Sequence, residues 1–301
     1  MDVKSVNNNG NIAFQSRWKS LNVVNPISYY ANRYFNKMAK NSMNSLEPTL
    51  LPLSGKINVQ RINKGKVSEI SAWDINPANS EDYVLFLHGM SQNVSNYQRL
   101  YNTISERKVG VFAVEYRGYG ENKPSSISED KLRRDVETAY EFLTKKKNIR
   151  PENITVIGHS MGGALATNFA SKHNDIRSLV LICPITSMSY VGKKFSQNTR
   201  LGMAIPENLR KFTEKVNPLN WLYNLKFSSL NKIDKVKVPT YIIQSQNDTV
   251  TLLGGARKLA KKAKRKGVLK EFALMPSGGH KVDIKKINKI SDILCRIYST
   301  N

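Results

Sequence analysis

Cysteine, acidic residues and long apolar runs are all scarce in this chain of 301 residues. The two cysteines, Cys183 and Cys295, are far apart, so we expect no disulfide framework and a reducing compartment. No run approaches the ~18 apolar residues that a membrane-spanning helix needs, and no charged segment followed by an apolar core opens the chain. We therefore predict a soluble, cytoplasmic protein.

Clustered metal ligands and phosphate-binding loops are absent from the sequence as well. The four histidines and two cysteines are scattered, without the spacing of a metal site. No glycine-rich loop of the kind that cradles phosphates occurs. We predict that the protein uses no metal and no organic cofactor.

Positive charge, in contrast, is abundant: 47 lysines and arginines face 23 acidic residues, for a net charge of +24. Eight basic residues crowd into 257–270, among small apolar residues at helical spacing. We interpret this stretch as a helix with a solvated basic face; a surface for an anionic membrane or nucleic acid is the alternative. No nucleic-acid-binding motif accompanies the charge, so we do not expect nucleic acid as a partner.

The segment richest in chemical signals reads Gly-His-Ser-Met-Gly-Gly at residues 158–163. It follows the apolar run 154–157 and precedes a helix-like stretch from Ala164 to Lys172, so Ser160 falls on a strand-to-helix turn. A serine hydroxyl is a poor nucleophile unless it stands clear of the backbone, beside a base and amide donors. The G-x-S-x-G pattern is typical of such a turn, and we predict that Ser160 is a nucleophile.

Two downstream residues are the predicted partners of this serine. Asp248 follows the predicted strand 240–244, and His280 lies on a glycine-rich loop after the predicted strand 271–275. Both lie at strand ends, where side chains point into the crevice of an open α/β sheet. The order Ser160, Asp248, His280 is the order of α/β-hydrolase triads, so we predict that His280 is the base and Asp248 orients it.

Backbone amides beside the serine form the predicted oxyanion hole. The apolar run 83–87 reads as a strand that leads into a turn ending at Met90. We assign the hole to the backbone N–H groups of Met90 and Met161. His88 and His159 flank tight turns, and we interpret them as orienting or packing residues.

Five motifs are spread over the chain: Leu-Phe-Leu-His-Gly at 85–89, Glu-Tyr-Arg-Gly-Tyr-Gly at 115–120, Gly-His-Ser-Met-Gly-Gly at 158–163, Asn-Asp at 247–248 and Gly-Gly-His at 278–280. Together they resemble the α/β-hydrolase superfamily. The serine motif is similar to that of the monoacylglycerol-lipase and serine-aminopeptidase-like branch, and Tyr-Arg-Gly-Tyr-Gly resembles the Bem46-like serine hydrolases. An aspartate is common where this chain has Glu115, which we expect to be structural and outside the triad.

The resemblance implies an α/β-hydrolase fold, a mostly parallel twisted sheet with helices on both faces and a cap insertion. The residue pattern agrees, because the runs 57–62 and 67–75 read as a hairpin and strands then alternate with helices. One such helix is predicted at 129–147, with Ser128 as its N-cap.

Three units are predicted along the chain. The catalytic domain comprises residues 55–184 and 236–301, and a cap insertion occupies 185–235, because more than fifty residues between two strands are too many for one crossover. Residues 1–54 form an extension in which 26–40 has apolar residues at helical spacing with basic flanks. We predict an amphipathic helix that docks on the catalytic domain; peripheral membrane contact is the alternative.

The candidate residues predict a serine hydrolase that cleaves a carboxylic ester through an acyl-enzyme on Ser160. An acylglycerol, lysophospholipid or small acyl ester fits best, because the insertion is apolar and basic, with only Glu207, Glu214 and Asp234 as acids. A thioesterase or serine peptidase with the same triad is one alternative. A non-catalytic binding protein on the same scaffold is another.

Overall fold

The computed structural model describes residues 58–62, 70–120, 122, 127–187 and 227–299. The predicted extension at 1–54, with its helix at 26–40, lies outside the described residues. So do residues 188–226, the greater part of the predicted cap. Both assignments stay predictions.

One sheet of eight strands forms the centre of the described part of the chain. Its spatial order is β1-β2-β4-β3-β5-β6-β7-β8. The strands are β1 (Asn58–Ile62), β2 (Ile70–Ile75), β3 (Tyr83–Leu87), β4 (Gly110–Val114), β5 (Ile154–His159), β6 (Ser178–Ile182), β7 (Thr240–Ser245) and β8 (Leu269–Met275).

One strand, β2, runs opposite to the other seven strands of this sheet. β1 pairs with β2, and β2 with β4, in antiparallel register, whereas the remaining five pairings are parallel. The predicted hairpin and mostly parallel sheet are therefore confirmed. β3, β4, β5 and β6 are buried at every residue, as expected for parallel strands covered on both faces.

Five α-helices among the described residues cover the two faces. On one face, α2, α3 and α4 pack against a core cluster that contains Leu132, Leu165 and Leu259. On the other face, α1 and α5 pack against a second cluster that contains Tyr101 and Ile290. The helices are α1 (Gln98–Ser105), α2 (Glu129–Glu141), α3 (Met161–Ala170), α4 (Leu253–Arg265) and α5 (Ile284–Tyr298).

The start of α2 agrees with its prediction, and its end adds a detail. The Ser128 side chain accepts the backbone N–H of Lys131, which caps the helix. The predicted helix 129–147 continues past α2 as a π-helical turn, Phe142–Lys146. Residue spacing does not distinguish that turn from α-helix, because the wider winding appears only in the hydrogen bonding.

Both ends of the predicted insertion pack into the catalytic domain. Ile185, Phe227 and Ile233 are buried in the larger core cluster. The Phe227 backbone N–H also donates to Glu129 Oε2 of α2 at 3.0 Å, so the returning chain is tied to a helix of this domain.

No helix in the described ranges combines the length and apolar character needed to cross a bilayer.

The turn from β5 into α3 requires very close contact between α3 and β3. A Cβ atom on Gly162 would lie 2.0 Å from the Leu87 carbonyl oxygen. We predict that Gly162→Ala destabilises the protein by about 3 kcal/mol or more, because backbone must move to admit the methyl group. Urea unfolding followed by circular dichroism measures this change.

The matched control is Gly254→Ala in α4, where an added Cβ meets nothing within 4 Å. This variant should be neutral or stabilised by up to about 1 kcal/mol, since alanine favours helix over glycine. Equal stability of the two variants would contradict the role given to the close contact.

Candidate active site

Ser160 lies at the turn between β5 and α3 with a backbone conformation that L-residues rarely adopt. Its φ is 55° and its ψ is −115°. Its backbone N–H donates to the Ile182 carbonyl oxygen at 3.0 Å, and its own carbonyl accepts from Gly163 and Ile185. Such strain costs about 1–3 kcal/mol and persists where the surroundings hold it. Here the hydrogen bonds to β6 and the chain after it provide that hold.

The structure brings the three predicted side chains into one chain of hydrogen bonds. His280 Nε2 lies 2.9 Å from Ser160 Oγ, and His280 Nδ1 lies 2.9 Å from Asp248 Oδ2. With the imidazole neutral and its proton on Nδ1, the ring donates to Asp248 and accepts from the serine hydroxyl. This arrangement allows the imidazole to remove a proton from Ser160.

Asp248 is held by more donors than His280 alone. Its carboxylate accepts the Thr251 hydroxyl at 2.7 Å, the backbone N–H groups of Val250 and Thr251 at 2.8 and 2.9 Å, and Gln244 Nε2 at 3.2 Å. Burial acts to raise the pKa of Asp248, but the contacts with His280 and Thr251 outweigh it and hold the pKa below its usual value. The carboxylate therefore stays charged beside the imidazole.

A second group of contacts holds the backbone of His280. His159 Nε2 lies 2.8 Å from the His280 carbonyl oxygen, and His159 Nδ1 lies 2.8 Å from the Tyr97 hydroxyl. Because a carbonyl can only accept, Nε2 carries the proton, and the neutral ring presents the Nδ1 lone pair to the Tyr97 hydroxyl, which also contacts Gln92 Oε1. Tyr97 also accepts the Gly89 backbone N–H at 3.1 Å. These contacts agree with the predicted orienting or packing role of His159, and Tyr97 connects His159 to the turn after β3.

Burial keeps His159 neutral. Desolvation, reinforced by the neighbouring His280, lowers the pKa of His159 to about 3. The carbonyl of His280 therefore meets a neutral N–H donor across the physiological range.

The predicted oxyanion amides lie on the two segments that flank Ser160. Met161 is the first residue of α3, directly after the serine. Met90 follows Gly89, where an added Cβ would lie 3.3 Å from Ser160 Cβ, so this turn approaches the serine closely. The assignment of the two N–H groups as the oxyanion hole stays a prediction.

Glu115 contacts two residues of the segment that follows β3. Glu115 Oε1 lies 3.1 Å from His88 Nε2, and Oε2 accepts the Val94 backbone N–H at 3.3 Å. His88 Nδ1 in turn donates to the Gly89 carbonyl at 2.8 Å. These buried contacts agree with a structural Glu115 and a packing His88.

One group of described residues has the composition of a metal site. Atoms of Cys183, Asp248 and His280 that could ligate an ion all lie within 4.8 Å of one another. Burial and the nearby Asp248 charge raise the pKa of the Cys183 thiol to about 12. A thiol must lose its proton to bind a metal, and the other two groups already bond to each other, so this cluster is a poor cation site.

The basic stretch forms the predicted helix, with α4 as its main part. Its apolar side is buried through Ala256, Leu259, Ala260 and Ala263. Lys262 is half-buried and contacts Asp234 at 2.7 Å. The other basic side chains are exposed, at positions 257, 258, 261, 264, 265, 266 and 270. The basic face is exposed, as either interpretation requires, and its contact with water alone or with a membrane stays a prediction.

Comparison with known families identifies the fold. The family model described as serine aminopeptidase, S33 (Hydrolase_4) matches residues 78–232. The chain belongs to this family. It is therefore a serine hydrolase of the α/β-hydrolase superfamily, as its motifs indicated. The match contains Ser160 but ends before Asp248 and His280, which geometry alone connects to the serine.

Two of the relatives in sequence have names that refer to hydrolases. A Mycoplasma pneumoniae protein whose name assigns it as an esterase or lipase is 28% identical over 163 residues, which cover 54% of this chain and 60% of that protein. A protein of Acanthamoeba polyphaga mimivirus named as an α/β hydrolase is 26% identical over 233 residues, with 74% of this chain and 79% of that protein covered. The first match thus spans about three fifths of the relative's length.

Solved structures share the architecture. An α/β hydrolase from Vibrio vulnificus has a TM-score of 0.71 at 22% identity and covers 91% of this chain and 94% of its own. The Pyrococcus furiosus esterase Pf2001 has a TM-score of 0.66 at 21% identity, with 81% and 91% covered. These similarities support the α/β-hydrolase fold.

The neutral state of His159 predicts a loss of stability in acid. The unfolded histidine binds a proton near pH 6.5 and the folded one only near pH 3, so stability is full above pH 6.5 and declines as the pH falls between these values. Protonation of this residue on unfolding should lower the free energy of unfolding at pH 5 by about 2 kcal/mol relative to pH 7. In His159→Gln, the free energy of unfolding should therefore change between pH 7 and pH 5 by about that much less than in the wild type. Urea titrations at both pH values measure this difference. An unchanged dependence would show that His159 is not protonated on unfolding in this range.

Proposed function

We propose that the protein is a serine esterase that hydrolyses acyl esters through an acyl-enzyme on Ser160. The observation that carries the proposal is the continuous relay of 2.9 Å contacts from Ser160 Oγ through His280 to Asp248. The strained turn at Ser160 supports it, because a hydroxyl held clear of the backbone is what acyl transfer requires.

In the first step, His280 Nε2 takes the proton of Ser160 while Oγ attacks the ester carbonyl carbon. The negative charge on the carbonyl oxygen is stabilised by the backbone N–H groups of Met90 and Met161. Asp248 stabilises the imidazolium through Nδ1–H, and the imidazolium then protonates the departing alcohol. The acyl group is left on Ser160 Oγ.

The second step repeats the first with water as the nucleophile. His280 takes a proton from water, the resulting hydroxide attacks the acyl carbon, and the imidazolium returns a proton to Ser160. The products are the free acid and the regenerated serine. Neither reaction step requires a residue to change its contacts, because the imidazole alternates between base and acid at the same position.

The relatives and the local charges favour esters over peptides with a free amino end. An aminopeptidase needs a carboxylate for the cationic amino group of its substrate. Asp248 is engaged by its five donors, and Glu115 is buried against His88 and Val94, so neither is available for that role. The esterase and lipase names among the relatives point the same way. An acylglycerol, lysophospholipid or small acyl ester is the proposed substrate class.

The nucleophile is tested with a fluorophosphonate probe and a p-nitrophenyl ester. Ser160→Ala should abolish labelling, and both Ser160→Ala and His280→Ala should lower turnover by about 10⁴ to 10⁶. Asp248→Asn should be somewhat milder. Ser171→Ala is the matched control, because its hydroxyl bonds to Asn168 O at the far end of the same helix. An unlabelled wild-type protein would favour a binding function, and activity in Ser160→Ala would refute the assignment.

Substrate class is tested with two esters that share a leaving group. p-Nitrophenyl 4-methylpentanoate and the p-nitrophenyl ester of leucine differ only in the α-ammonium group. We expect kcat/KM to be at least about tenfold higher for the first, because, of the carboxylates in the described part of the chain, neither Asp248 nor Glu115 is free to bind an ammonium group. Preference for the leucine ester would support an aminopeptidase. A thioester of the same acyl group hydrolysed much faster than either would support a thioesterase.

A further inference from the structure

Lys286 is a lysine whose side chain is completely buried. It lies in the first turn of α5, and its side chain has 0% exposure. Its Nζ contacts the carbonyl oxygens of Gly278 at 3.1 Å and Lys281 at 2.8 Å, and Asp283 Oδ1 at 3.4 Å. All three acceptors belong to the loop between β8 and α5, which carries His280.

This burial is hard to explain by stability. Removing an ammonium group from water costs several kcal/mol. One contact with a carboxylate and two with carbonyl oxygens offset that cost poorly. The carboxylate in question, Asp283, is partly exposed and already caps α5 by accepting the Lys286 backbone N–H at 3.1 Å. A methionine of similar length would fill the same volume without a buried charge.

The loop, however, needs an external hold. Gly278 and Gly279 have φ values of 109° and 55°, conformations that glycine adopts freely but does not fix by itself. A Cβ on Gly278 would lie 2.8 Å from Lys286 Nζ, so glycine also leaves the room that the ammonium group occupies.

The contacts of Lys286 lie on both sides of His280. Its Nζ binds the carbonyls of residues 278 and 281, while His159 binds the carbonyl of His280 from β5. Cys183 Sγ also lies 3.9 Å from the Gly279 carbonyl oxygen, so all four consecutive carbonyls are contacted by donors from outside the loop, two of them by Lys286. The imidazole is left to make its two contacts with Ser160 and Asp248.

We propose that Lys286 is a positioning residue that holds the His280 loop so that the imidazole stays within proton-transfer distance of Ser160. The proposal rests on the esterase function proposed above. It adds that a buried cation on α5, which touches none of the reacting atoms, sets the rate of the chemical step.

The decisive variant is Lys286→Met, which keeps the length of the side chain and removes its donors. With a small p-nitrophenyl ester, kcat should fall about 10- to 100-fold, because a displacement of the base near 1 Å has effects of that size. KM should stay within about twofold, and fluorophosphonate labelling should slow by the same factor as kcat. Lys286→Gln, which keeps amide donors, should lose less.

Lys289→Met is the matched control one turn along the same helix. Lys289 is half-buried and contacts Glu271 of β8 at 2.5 Å. Its replacement by methionine therefore removes a charge from α5 without removing a contact to the loop. The variant should keep the wild-type kcat. A fall in kcat equal to that of Lys286→Met would mean that a general loss of charge on α5 is responsible and would overturn the proposal.

A spectroscopic readout separates this proposal from the esterase proposal. The low-field proton resonance of the His280 Nδ1–H bond to Asp248 reports imidazole position whether or not esters are hydrolysed. It should weaken or broaden in Lys286→Met and stay unchanged in Lys289→Met. An unchanged resonance with wild-type kcat in folded Lys286→Met refutes the proposal. If neither Lys286→Met nor Lys286→Gln folds, Lys286 is a stability residue and the proposal is wrong.

Discussion

The imidazole of His280 has to reach two oxygen atoms that come from different strands, and the rest of the structure serves this requirement. Ser160 is held at the end of β5 by a strained turn, and Asp248 lies just after β7. His280 comes from the loop after β8, the strand next to β7 at the edge of the sheet. Because β5 through β8 are parallel neighbours, their carboxyl ends meet on one side, and loops of few residues suffice to bring the three side chains together.

Sequence patterns predict these positions because each one follows from local backbone chemistry. An apolar run ending in Gly-x-Ser-x-Gly defines the turn at Ser160, and the runs before Asp248 and His280 define their strand ends. The hairpin, the alternation of strands and helices and the cap of α2 follow from the same local signals. Neighbouring residues along the chain are enough to specify all of them.

The supporting contacts could not be predicted, because they join residues that are far apart in sequence. Tyr97 bonds to His159 across 62 positions, and Glu129 meets Phe227 across 98. Thr251 is close to Asp248 in sequence, yet an ordinary threonine in a loop carries no sign of its bonds to a carboxylate. Lys286 belongs to a basic helix in which its neighbours Lys285 and Lys289 look identical, and only packing distinguishes the one that is buried.

The placement of the predicted insertion has a consequence for how substrate range can change. The nucleophile precedes it and the acid and base follow it, while both of its ends are anchored, one by the Ile185 N–H bond to Ser160 O and the other by Glu129. The first anchor thus also belongs to the hydrogen bonds that hold the turn at Ser160, and the second fixes the returning chain to α2. An exchange of the residues predicted to form the cap therefore has to keep Ile185 and Phe227 in place, because these junctions bear on the turn that carries the nucleophile and on the start of α2.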